Sequence, residues 1–308
     1  MSVIGIDTSN YTTSIAYFDG VDGVNCSKLL SVKQGELGLR QSDAVFAHIK
    51  SLPELSGRLF SNIQKKDNIT AVGVSTRPRA VEGSYMPCFM VGYSHAKILS
   101  DLLQVPLVEV SHQQGHVAAS LWSANRLELM DLPHLAWHLS GGTTELLLVE
   151  PDGKNVRCTK IGGTSDISAG QLIDRTGQLL SLPFPSGKHL DALSADAVMT
   201  DTFKVKCTDM TFSLSGVQNK VQQFHSAHGK DVETAAYALR CIAKAVYAAT
   251  KQALKAYPGL RIVFSGGVAS NSMLRQVLEP LDPIFSPPQY ATDNAMGVAV
   301  LTHLAMEG

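Results

Sequence analysis

Two short strand-like runs open the chain on either side of a polar turn. Residues 3–6 and 13–18 are rich in apolar and β-branched side chains, whereas residues 7–10 between them, Asp-Thr-Ser-Asn, are small and polar. Short apolar runs bounded by turn-forming residues are typical of β-strands joined as a hairpin. The pattern therefore predicts a hairpin whose turn carries hydroxyl and carboxylate groups.

A second hairpin of the same kind is predicted near the middle of the chain. Residues 135–139 and 145–149 have strand-like patterns around Ser-Gly-Gly-Thr-Thr at 140–144. The remaining apolar periodicity predicts further strands and helices, and this mixture indicates an α/β sheet fold. The other predicted strands are 69–74, 106–110 and 261–264, and the predicted helices are 42–64, 90–103, 231–257 and 293–306.

The repeated hairpin predicts two lobes. No linker rich in proline, glycine or serine separates the halves, so we expect the lobes to pack around one cleft and to join near residue 110. The first lobe is expected to comprise residues 1–110 and 293–308, and the second residues 111–292.

Composition narrows the class of protein. With 308 residues, 44% of them hydrophobic and 17% charged, the chain is expected to be globular rather than disordered. Its formal net charge of −1 lacks the surplus of Lys and Arg of stand-alone nucleic-acid binders, so any RNA contact is expected to be local or shared with a partner. The five cysteines form no Cys-x-x-Cys pair, which favours a reducing cytoplasm. Neither a signal peptide nor a membrane span is predicted.

Both hairpin turns have the composition of a phosphate-binding turn. Small residues let backbone N–H groups approach an anion. Asp7 could orient a cation bound to the phosphate, and Thr8, Ser9 and Thr143 could donate hydrogen bonds from their hydroxyls. Each turn taken singly is also consistent with an ordinary tight hairpin, but the matched pair favours phosphate binding.

A third glycine-rich segment, residues 265–271, follows a predicted strand and precedes a helical run. Gly266 and Gly267 would allow backbone amides at the helix N-terminus to face a nucleotide. Close packing of the strand against the helix explains the same glycines equally well.

His112 and His116 are four residues apart, so their imidazoles share one face if the segment is helical and could bind one metal ion. Two ordinary polar histidines are the alternative. A zinc peptidase would need Glu directly after the first histidine as general base, and Gln113 stands there instead. A peptidase mechanism is therefore not expected.

Asp174 lies in a helix-like segment beside Leu172 and Ile173. Its carboxylate could bind the hydroxyls of a ribose, or it could be a solvated helix residue.

Motifs along nearly the whole chain resemble the TsaD/YgjD family, formerly called glycoprotease family M22. The motifs that carry the resemblance are Gly5-Ile-Asp-Thr-Ser9, His112-x-x-x-His116, Leu139-Ser-Gly-Gly-Thr143, Ile173-Asp-Arg-Thr176, Pro185-Ser-Gly187, Thr211-Phe-Ser-Leu-Ser-Gly216, Ser265-Gly-Gly-Val-Ala-Ser-Asn271 and Ala291-Thr-Asp-Asn-Ala-Met296. The resemblance implies an actin/Hsp70-like (ASKHA) fold of two RNase H-like domains. It also implies the threonylcarbamoyl modification of the tRNA adenosine next to the anticodon, performed together with partner proteins.

The resemblance further implies the residues of the site. Iron or zinc would be held by His112, His116 and Asp293, next to the bound phosphates. Residues that would bind ATP, AMP or threonylcarbamoyl-adenylate are Leu139, Ser140, Gly141, Gly142 and Thr143 at the phosphates, Asp174, Gly187 and Asn271 at the ribose and adenine, and Gly266 and Gly267 in the third glycine-rich segment. Asp7, Ser9 and Tyr11 would line the catalytic turn.

The chain departs from the family pattern in that same turn. The family has an acidic pair where this sequence has Tyr11 and Thr12, and a phenol with a pKa of about 10 is no carboxylate base at neutral pH. Arg77-Pro78-Arg79 replaces Gly-Pro-Gly, and Gln218 replaces a lysine. Transfer to tRNA is therefore weighed against two alternatives, a nucleotide-binding paralogue that acts as a non-catalytic subunit and a carbamoyltransferase with another acceptor.

Overall fold

The computed structural model describes residues 1–31, 39–63 and 69–307. The strands are β1 (Ser2–Ser9), β2 (Thr12–Phe18), β3 (Gly23–Leu29), β4 (Ile69–Arg77), β5 (Leu107–Ser111), β6 (His134–Leu139), β7 (Thr144–Asp152), β8 (Asn155–Thr164), β9 (Cys207–Thr208), β10 (Thr211–Phe212), β11 (Ile262–Ser265) and β12 (Ile284–Phe285). The helices are α1 (Gln41–Asn62), α2 (Phe89–Leu103), α3 (His112–Ser123), α4 (Ala169–Leu179), α5 (Gly187–Ser194), α6 (Ser215–His228), α7 (Asp231–Ala256), α8 (Ser272–Leu278), α9 (Pro288–Ala291) and α10 (Met296–Met306). Short 3₁₀ turns cover Leu127–Asp131, Gly267–Ser270 and Glu279–Leu281.

The chain divides into two compact units. The first unit comprises Met1–Leu132, Glu150–Cys158 and Asp293–Gly308, and the second comprises Pro133–Val149 and Thr159–Thr292. Residues 111–132 therefore lie in the first unit, whereas the prediction placed them in the second lobe. The physical reason is that α3 packs closely on α10, where a Cβ on Gly297 would meet the backbone N of Ala119 at 2.8 Å. The lobe boundary itself stays a prediction.

The sheet of the first unit has the order β3-β2-β1-β4-β5 among the described residues. The β1, β2 and β3 strands pair antiparallel, whereas β4 and β5 run parallel to β1. Every residue of β1 is buried, because α10 covers one face of the sheet and an apolar cluster of α1 and α2 covers the other. At Gly5 a Cβ would lie 2.6 Å from the backbone N of Ala299, so glycine is required for α10 to approach.

The sheet of the second unit repeats this order. Its strands run β12-β11-β6-β7-β8-β10-β9, so β8-β7-β6-β11-β12 corresponds to β3-β2-β1-β4-β5. As in the first unit, the central strand pairs antiparallel with its hairpin partner and parallel with the next strand in the order. The two predicted hairpins are thus β1–β2 and β6–β7, each at the centre of one unit.

Several predicted boundaries need correction. The last helix begins at Met296, not at 293, because the side chain of Asn294 accepts a hydrogen bond from the Met296 N–H at 3.1 Å and forms a turn there. The predicted end of the first long helix, Gln64, lies outside the described residues, and α1 ends at Asn62. The β3 strand was missed because most of its side chains are exposed, so no apolar run marks it.

Among the described residues, no helix combines the length and the apolar character that crossing a membrane would require.

Candidate metal centre and nucleotide-binding residues

Three side chains converge in the first unit. His112 and His116 occupy the first two turns of α3, and Asp293 lies in the segment before α10. The two Nε2 atoms are 2.9 Å apart, and Asp293 Oδ1 lies 3.2 Å from Nε2 of His116 and 3.6 Å from Nε2 of His112. The three predicted metal ligands therefore face one point.

Backbone contacts fix the start of α3. Ser111 forms a capping box in which its hydroxyl accepts from the Gln114 N–H while the Gln114 side chain accepts from the Ser111 N–H. The Gln114 amide also donates to the carbonyl of Val156 at 2.8 Å. His112 is consequently the first residue of a rigidly capped helix at the end of β5, and His116 follows one turn later.

The distances fit one metal ion. For metal–nitrogen bonds of about 2.0–2.1 Å, ligand atoms at right angles lie about 3.0 Å apart and those at the tetrahedral angle about 3.4 Å apart. The observed separations of 2.9, 3.2 and 3.6 Å are close to these values. Two imidazoles and one carboxylate suit iron or zinc, so the donor set fits either ion.

Asp7 holds His112 from behind. Its Oδ2 lies 2.6 Å from Nδ1 of His112, and its Oδ1 accepts from the Ser9 N–H at 2.8 Å. Because Nδ1–H donates to the carboxylate, the imidazole presents Nε2 to the other two ligands. Asp7 is only 1% exposed, and its two oxygens are engaged by His112 and by the Ser9 N–H. The predicted orientation of a phosphate-bound cation by Asp7 stays a prediction.

The carboxylates govern the charge of the centre. Burial alone lowers the pKa of His112, but the charge of Asp7 and the hydrogen bonds with Asp293 and Asp7 outweigh burial and raise that pKa to about 10. Burial raises the pKa of Asp293, whereas hydrogen bonds and charges from the two histidines hold it well below its usual range. Without a metal the centre therefore contains an imidazolium at neutral pH, and a metal must displace its proton.

The other residues of the first turn differ in their contacts. Ser9 donates from Oγ to Asp293 Oδ2 at 3.4 Å. The Thr8 hydroxyl donates to the Cys88 carbonyl at 2.9 Å, so it is engaged inside the first unit. Tyr11 accepts from the Leu30 N–H through its carbonyl at 2.8 Å, and within the described residues its side chain makes no hydrogen bond to the three ligands.

In the second unit the turn between β6 and β7 has open space around its glycines. A Cβ on Gly141 or Gly142 would meet no atom of the described residues within 4 Å, so their packing does not require glycine at either position. The turn closes through the Ser140 N–H, which donates to the Thr143 carbonyl at 2.8 Å, and the Thr143 N–H, which donates to Ser140 Oγ at 3.0 Å. Its backbone remains accessible to an anion.

The N-terminus of α4 abuts this turn. Ser168 caps α4 and donates from Oγ to the Gly141 carbonyl at 2.6 Å. A Cβ on Gly170 would lie 2.5 Å from the Ser140 carbonyl oxygen, so glycine permits the close approach. A helix N-terminus beside a glycine-rich turn is a favourable place for phosphate.

Asp174 projects from α4 towards the start of α5. Its Oδ1 accepts from the Ser186 N–H at 2.9 Å, and burial raises the pKa of its carboxyl group against the effect of that bond. Gly187, the first residue of α5, directly follows Ser186. The structure therefore brings Asp174 and Gly187, both predicted to bind the nucleotide, close together.

Gly266, Gly267 and Asn271 have different structural roles. Gly266 has φ +90°, and a Cβ there would overlap the carbonyl group of Leu139, so this glycine is needed for packing. Within the part of the chain that the structure describes, a Cβ on Gly267 would meet only Thr292 Cγ2, at 3.7 Å. Asn271 caps α8 by accepting from the Leu274 N–H at 2.9 Å.

Asp191 was not predicted. It accepts from Asn271 Nδ2 at 2.7 Å and from Ser272 Oγ at 2.7 Å, and it thereby joins α5 to the segment that carries Asn271. The amide of Asn271 is consequently engaged on both sides within the protein. A single Asp in an amphipathic helix carries no sequence signal that would have revealed this contact.

The Thr211–Gly216 motif also binds a carboxylate that was not predicted. Asp166 accepts from the Leu214 N–H at 2.8 Å, from Ser213 Oγ at 2.5 Å and from Ser215 Oγ at 2.6 Å at the start of α6. Burial raises the pKa of Asp166, but these hydrogen bonds lower it to about 2. Gln218, where the family has lysine, accepts from Arg175 Nη1 at 2.6 Å.

Comparison with known proteins identifies a sequence family. The profile of the TsaD family, described as tRNA N6-adenosine threonylcarbamoyltransferase, matches residues 32–300. A tRNA N6-adenosine threonylcarbamoyltransferase of Carboxydothermus hydrogenoformans is 31% identical over 314 aligned positions, which cover 96% of this chain and 90% of that protein.

Solved structures support the predicted fold. Full-length HypF in its phosphate- and nucleotide-bound form has a TM-score of 0.65 at 14% identity, and the match covers 99% of this chain and 47% of HypF. Component A of (R)-2-hydroxyglutaryl-CoA dehydratase from Acidaminococcus fermentans has a TM-score of 0.58 at 16% identity, with full coverage of both chains. These likenesses and the repeated strand order confirm the actin/Hsp70-like fold with duplicated RNase H-like domains. By the match of its sequence over most of its length, the chain belongs to the TsaD family of tRNA N6-adenosine threonylcarbamoyltransferases.

Proposed function

We propose that this chain transfers a threonylcarbamoyl group from threonylcarbamoyl-adenylate to an adenosine of tRNA, and that it needs a metal ion to do so. The observation that carries the metal requirement is the convergence of His112, His116 and Asp293 with Asp7 behind His112. Sequence similarity to enzymes of that name supports the substrate assignment.

His112, His116 and Asp293 would hold iron or zinc. Such an ion acts as a Lewis acid that polarises a carbonyl oxygen. Asp7 keeps the Nε2 atom of His112 directed at the site, and the Ser9 N–H keeps Asp7 in place. Ser9 Oγ, 3.4 Å from Asp293, can turn to a substrate oxygen.

The second unit would bind the nucleotide. The turn from Ser140 to Thr143 would offer backbone N–H groups to the phosphate, helped by the partial positive charge of the α4 N-terminus. Asp174 uses Oδ1 for Ser186, and its Oδ2, which has no hydrogen-bond partner among the described residues, would bind ribose hydroxyls next to Gly187. We assign Leu139, Gly266 and Asn271 to holding the segments that form this surface, because each contacts protein groups there.

In the proposed reaction the exocyclic amine of adenosine attacks the carbamoyl carbon. A carbon–nitrogen bond forms, the bond from that carbon to the adenylate phosphate oxygen breaks, AMP leaves with that bond's electron pair, and the amine transfers one proton to water. Tyr11 and Thr12 supply no carboxylate to accept that proton at neutral pH. The acceptor step is therefore the part of the reaction in which this chain must differ from relatives that carry the acidic pair.

A transfer assay tests the proposal. The chain would be incubated with threonylcarbamoyl-adenylate, unmodified tRNA and candidate partner proteins, and the digested tRNA would be analysed by mass spectrometry. We expect the modified nucleoside, with loss of product in His112→Ala and His116→Ala. Absence of product from the natural chain under all partner combinations would rule out the tRNA assignment.

The turn between β1 and β2 supports a second candidate function. The replacement of the acidic pair by Tyr11 and Thr12 favours a paralogue that binds the adenylate without modifying tRNA, as a subunit or with a different acceptor. The double substitution Tyr11→Asp, Thr12→Glu separates the two functions, with Tyr11→Phe as the matched control. Activity that appears only in the double variant supports the paralogue, and activity in the natural chain contradicts it.

Location and partners are also proposals. The five cysteines are all free, which supports a reducing cytoplasm. The net charge of −1 supports binding of tRNA together with protein partners. Co-purification of tRNA with the chain, in the presence and in the absence of partner proteins, measures whether tRNA binding needs those partners.

A further inference from the structure

The loop between β4 and α2, residues 78–88, is anchored at both ends beside the candidate metal centre. At one end the Pro78 carbonyl accepts from the N–H of Gln113 at 3.0 Å, and Gln113 directly follows a metal-ligand histidine. At the other end the Cys88 carbonyl accepts from Thr8 Oγ1 at 2.9 Å, and Thr8 directly follows the carboxylate that holds that histidine. The β4–α2 loop therefore borders the centre.

Between its anchors the β4–α2 loop is folded on itself and open to solvent. The Arg79 N–H donates to Ser84 Oγ at 3.0 Å, and the Ser84 N–H donates to the Val81 carbonyl at 3.2 Å. Tyr85 nevertheless remains 64% exposed and Val81 56% exposed. An ordered loop thus presents an aromatic ring to the solvent.

Positive charge accompanies the ring. Residues 77–88 contain Arg77, Arg79 and one acidic residue, Glu82, so the segment has a net charge of 2 − 1 = +1 in a chain whose total is −1. Arg77 is half-buried and, within the described residues, its side chain makes no hydrogen bond or ion pair. Four other basic residues of the first unit are instead ion-paired, each within 3.2 Å of a carboxylate oxygen: Lys28, Lys97, Arg126 and Arg157.

An exposed aromatic ring close to positive charge suits the binding of single-stranded nucleic acid. An exposed aromatic ring can stack on an unpaired base, and arginines neutralise the phosphates beside it. Arg77 is also fixed in position, because its Cα pairs with Ser111, the residue before His112. An RNA strand held by this segment would pass next to the candidate metal ligands.

We propose that the β4–α2 loop binds an unpaired stretch of the acceptor RNA, with Tyr85 stacking on a base and Arg77 binding a phosphate. The proposal rests on the proposed function, since it takes the acceptor to be RNA, and it assigns the replacement of Gly-Pro-Gly by Arg77-Pro78-Arg79 to acceptor recognition.

Equilibrium binding of labelled RNA to the full chain tests this. The probes are an anticodon stem-loop and a fully paired duplex of the same stem, measured by fluorescence anisotropy from low salt upwards. Because stacking contributes about 1–3 kcal/mol per base, Tyr85→Ala should weaken stem-loop binding by about 5- to 150-fold, while Tyr85→Phe keeps the ring and binds as the natural chain does.

The contact of Arg77 with phosphate is tested by salt dependence. Each phosphate contact to a single strand contributes about 0.7 to the slope of log affinity against log salt, so Arg77→Ala should reduce that slope by about 0.7. Arg157→Ala, which removes an exposed arginine of the same unit, should leave it unchanged. Unchanged metal content of all variants would show that the centre is intact.

Four outcomes contradict the proposal: no RNA binding by the natural chain with or without partner proteins, equal binding of stem-loop and duplex, natural affinity in Tyr85→Ala, or an unchanged slope in Arg77→Ala. The binding measurement needs no transfer, so the two proposals fail separately. If product forms and Tyr85→Ala binds RNA with natural affinity, only the RNA-binding role of the loop is rejected. If RNA binds through Tyr85 but no product forms, only the transfer function is rejected.

Discussion

The hydrogen bond from His112 to Asp7 offers a quantitative test of the candidate metal centre. Asp7→Asn keeps the size of the side chain but removes its charge. The contact is 2.6 Å long and Asp7 is 1% exposed, so little solvent screening is available. Hydrogen bonds to charged groups contribute about 1.5–3 kcal/mol and neutral ones about 0.5–1.5 kcal/mol. The substitution should therefore weaken the contact by about 1–1.5 kcal/mol.

Metal affinity should fall accordingly. Loss of about 1.4 kcal/mol corresponds to a tenfold change, and changes in groups that hold a metal ligand typically cost about 10- to 100-fold in affinity. After correction for the proton that the metal displaces from His112, we expect Asp7→Asn to bind iron or zinc about 10- to 100-fold more weakly. His112→Ala should bind still more weakly because it removes a ligand. Competition with a chelator of known affinity measures both, with Asp22→Asn as the matched carboxylate control.

The pH dependence provides an independent check. The pKa of His112 is about 10 in the metal-free chain, so metal binding below that pH displaces a proton and apparent affinity should rise with pH up to about 10. Since Asp7 raises this pKa, the rise should end at a lower pH in Asp7→Asn. The raised pKa also means that ionised His112 stabilises the metal-free fold fully below its unfolded pKa of 6.5 and loses this effect as pH rises through about 10. If Asp7→Asn retains natural metal affinity while His112→Ala does not, the role assigned to Asp7 is wrong.

Three further predictions concern the second unit. Gly266→Ala should destabilise the fold by about 1–3 kcal/mol in denaturant unfolding, because its Cβ would overlap the Leu139 carbonyl group at φ +90°. The control Gly267→Ala should leave stability nearly unchanged, and equal losses of stability in the two variants would contradict the packing role of Gly266. Gly142→Ala should leave stability unchanged, since a Cβ there meets no atom of the described residues within 4 Å. If the turn holds phosphate, the same substitution should weaken adenylate binding measured by calorimetry, and unchanged binding would show that the turn is not part of the site. Asp166→Asn should lower the free energy of unfolding by about 1 kcal/mol near neutral pH. Because the pKa of Asp166 is depressed to about 2, this difference in stability between the two proteins should be present above the unfolded pKa of 3.8 and vanish as pH falls through about 2. A difference independent of pH would contradict the assigned charge.

Strands and helices that carry an apolar period were predictable. The β1–β2 and β6–β7 hairpins, α7 and the strand β11 lie where the pattern placed them, because each buries a continuous apolar stretch. The β3 strand has mainly exposed side chains and left no such pattern. Its place at the edge is set by pairing with β2.

The candidate site was only partly encoded in local pattern. The spacing of His112 and His116 indicates a shared face of a helix, and the structure provides that helix. Asp293 entered through family resemblance, since no local period connects it to the histidines. Asp7 was predicted to orient a cation, but its contact with His112 joins residues 105 positions apart.

Local pattern predicted the repeated hairpins, the small residues of their turns and the histidine pair, since these depend on neighbours one strand or one helical turn away. Three contacts emerge only when the chain folds: Asp7 supports His112, Asn271 is engaged by Asp191, and the loop bearing Tyr85 is anchored beside the candidate metal ligands. Strand order in a sheet brings together chain segments far apart in sequence, and the periodicities of single strands and helices record nothing of that order.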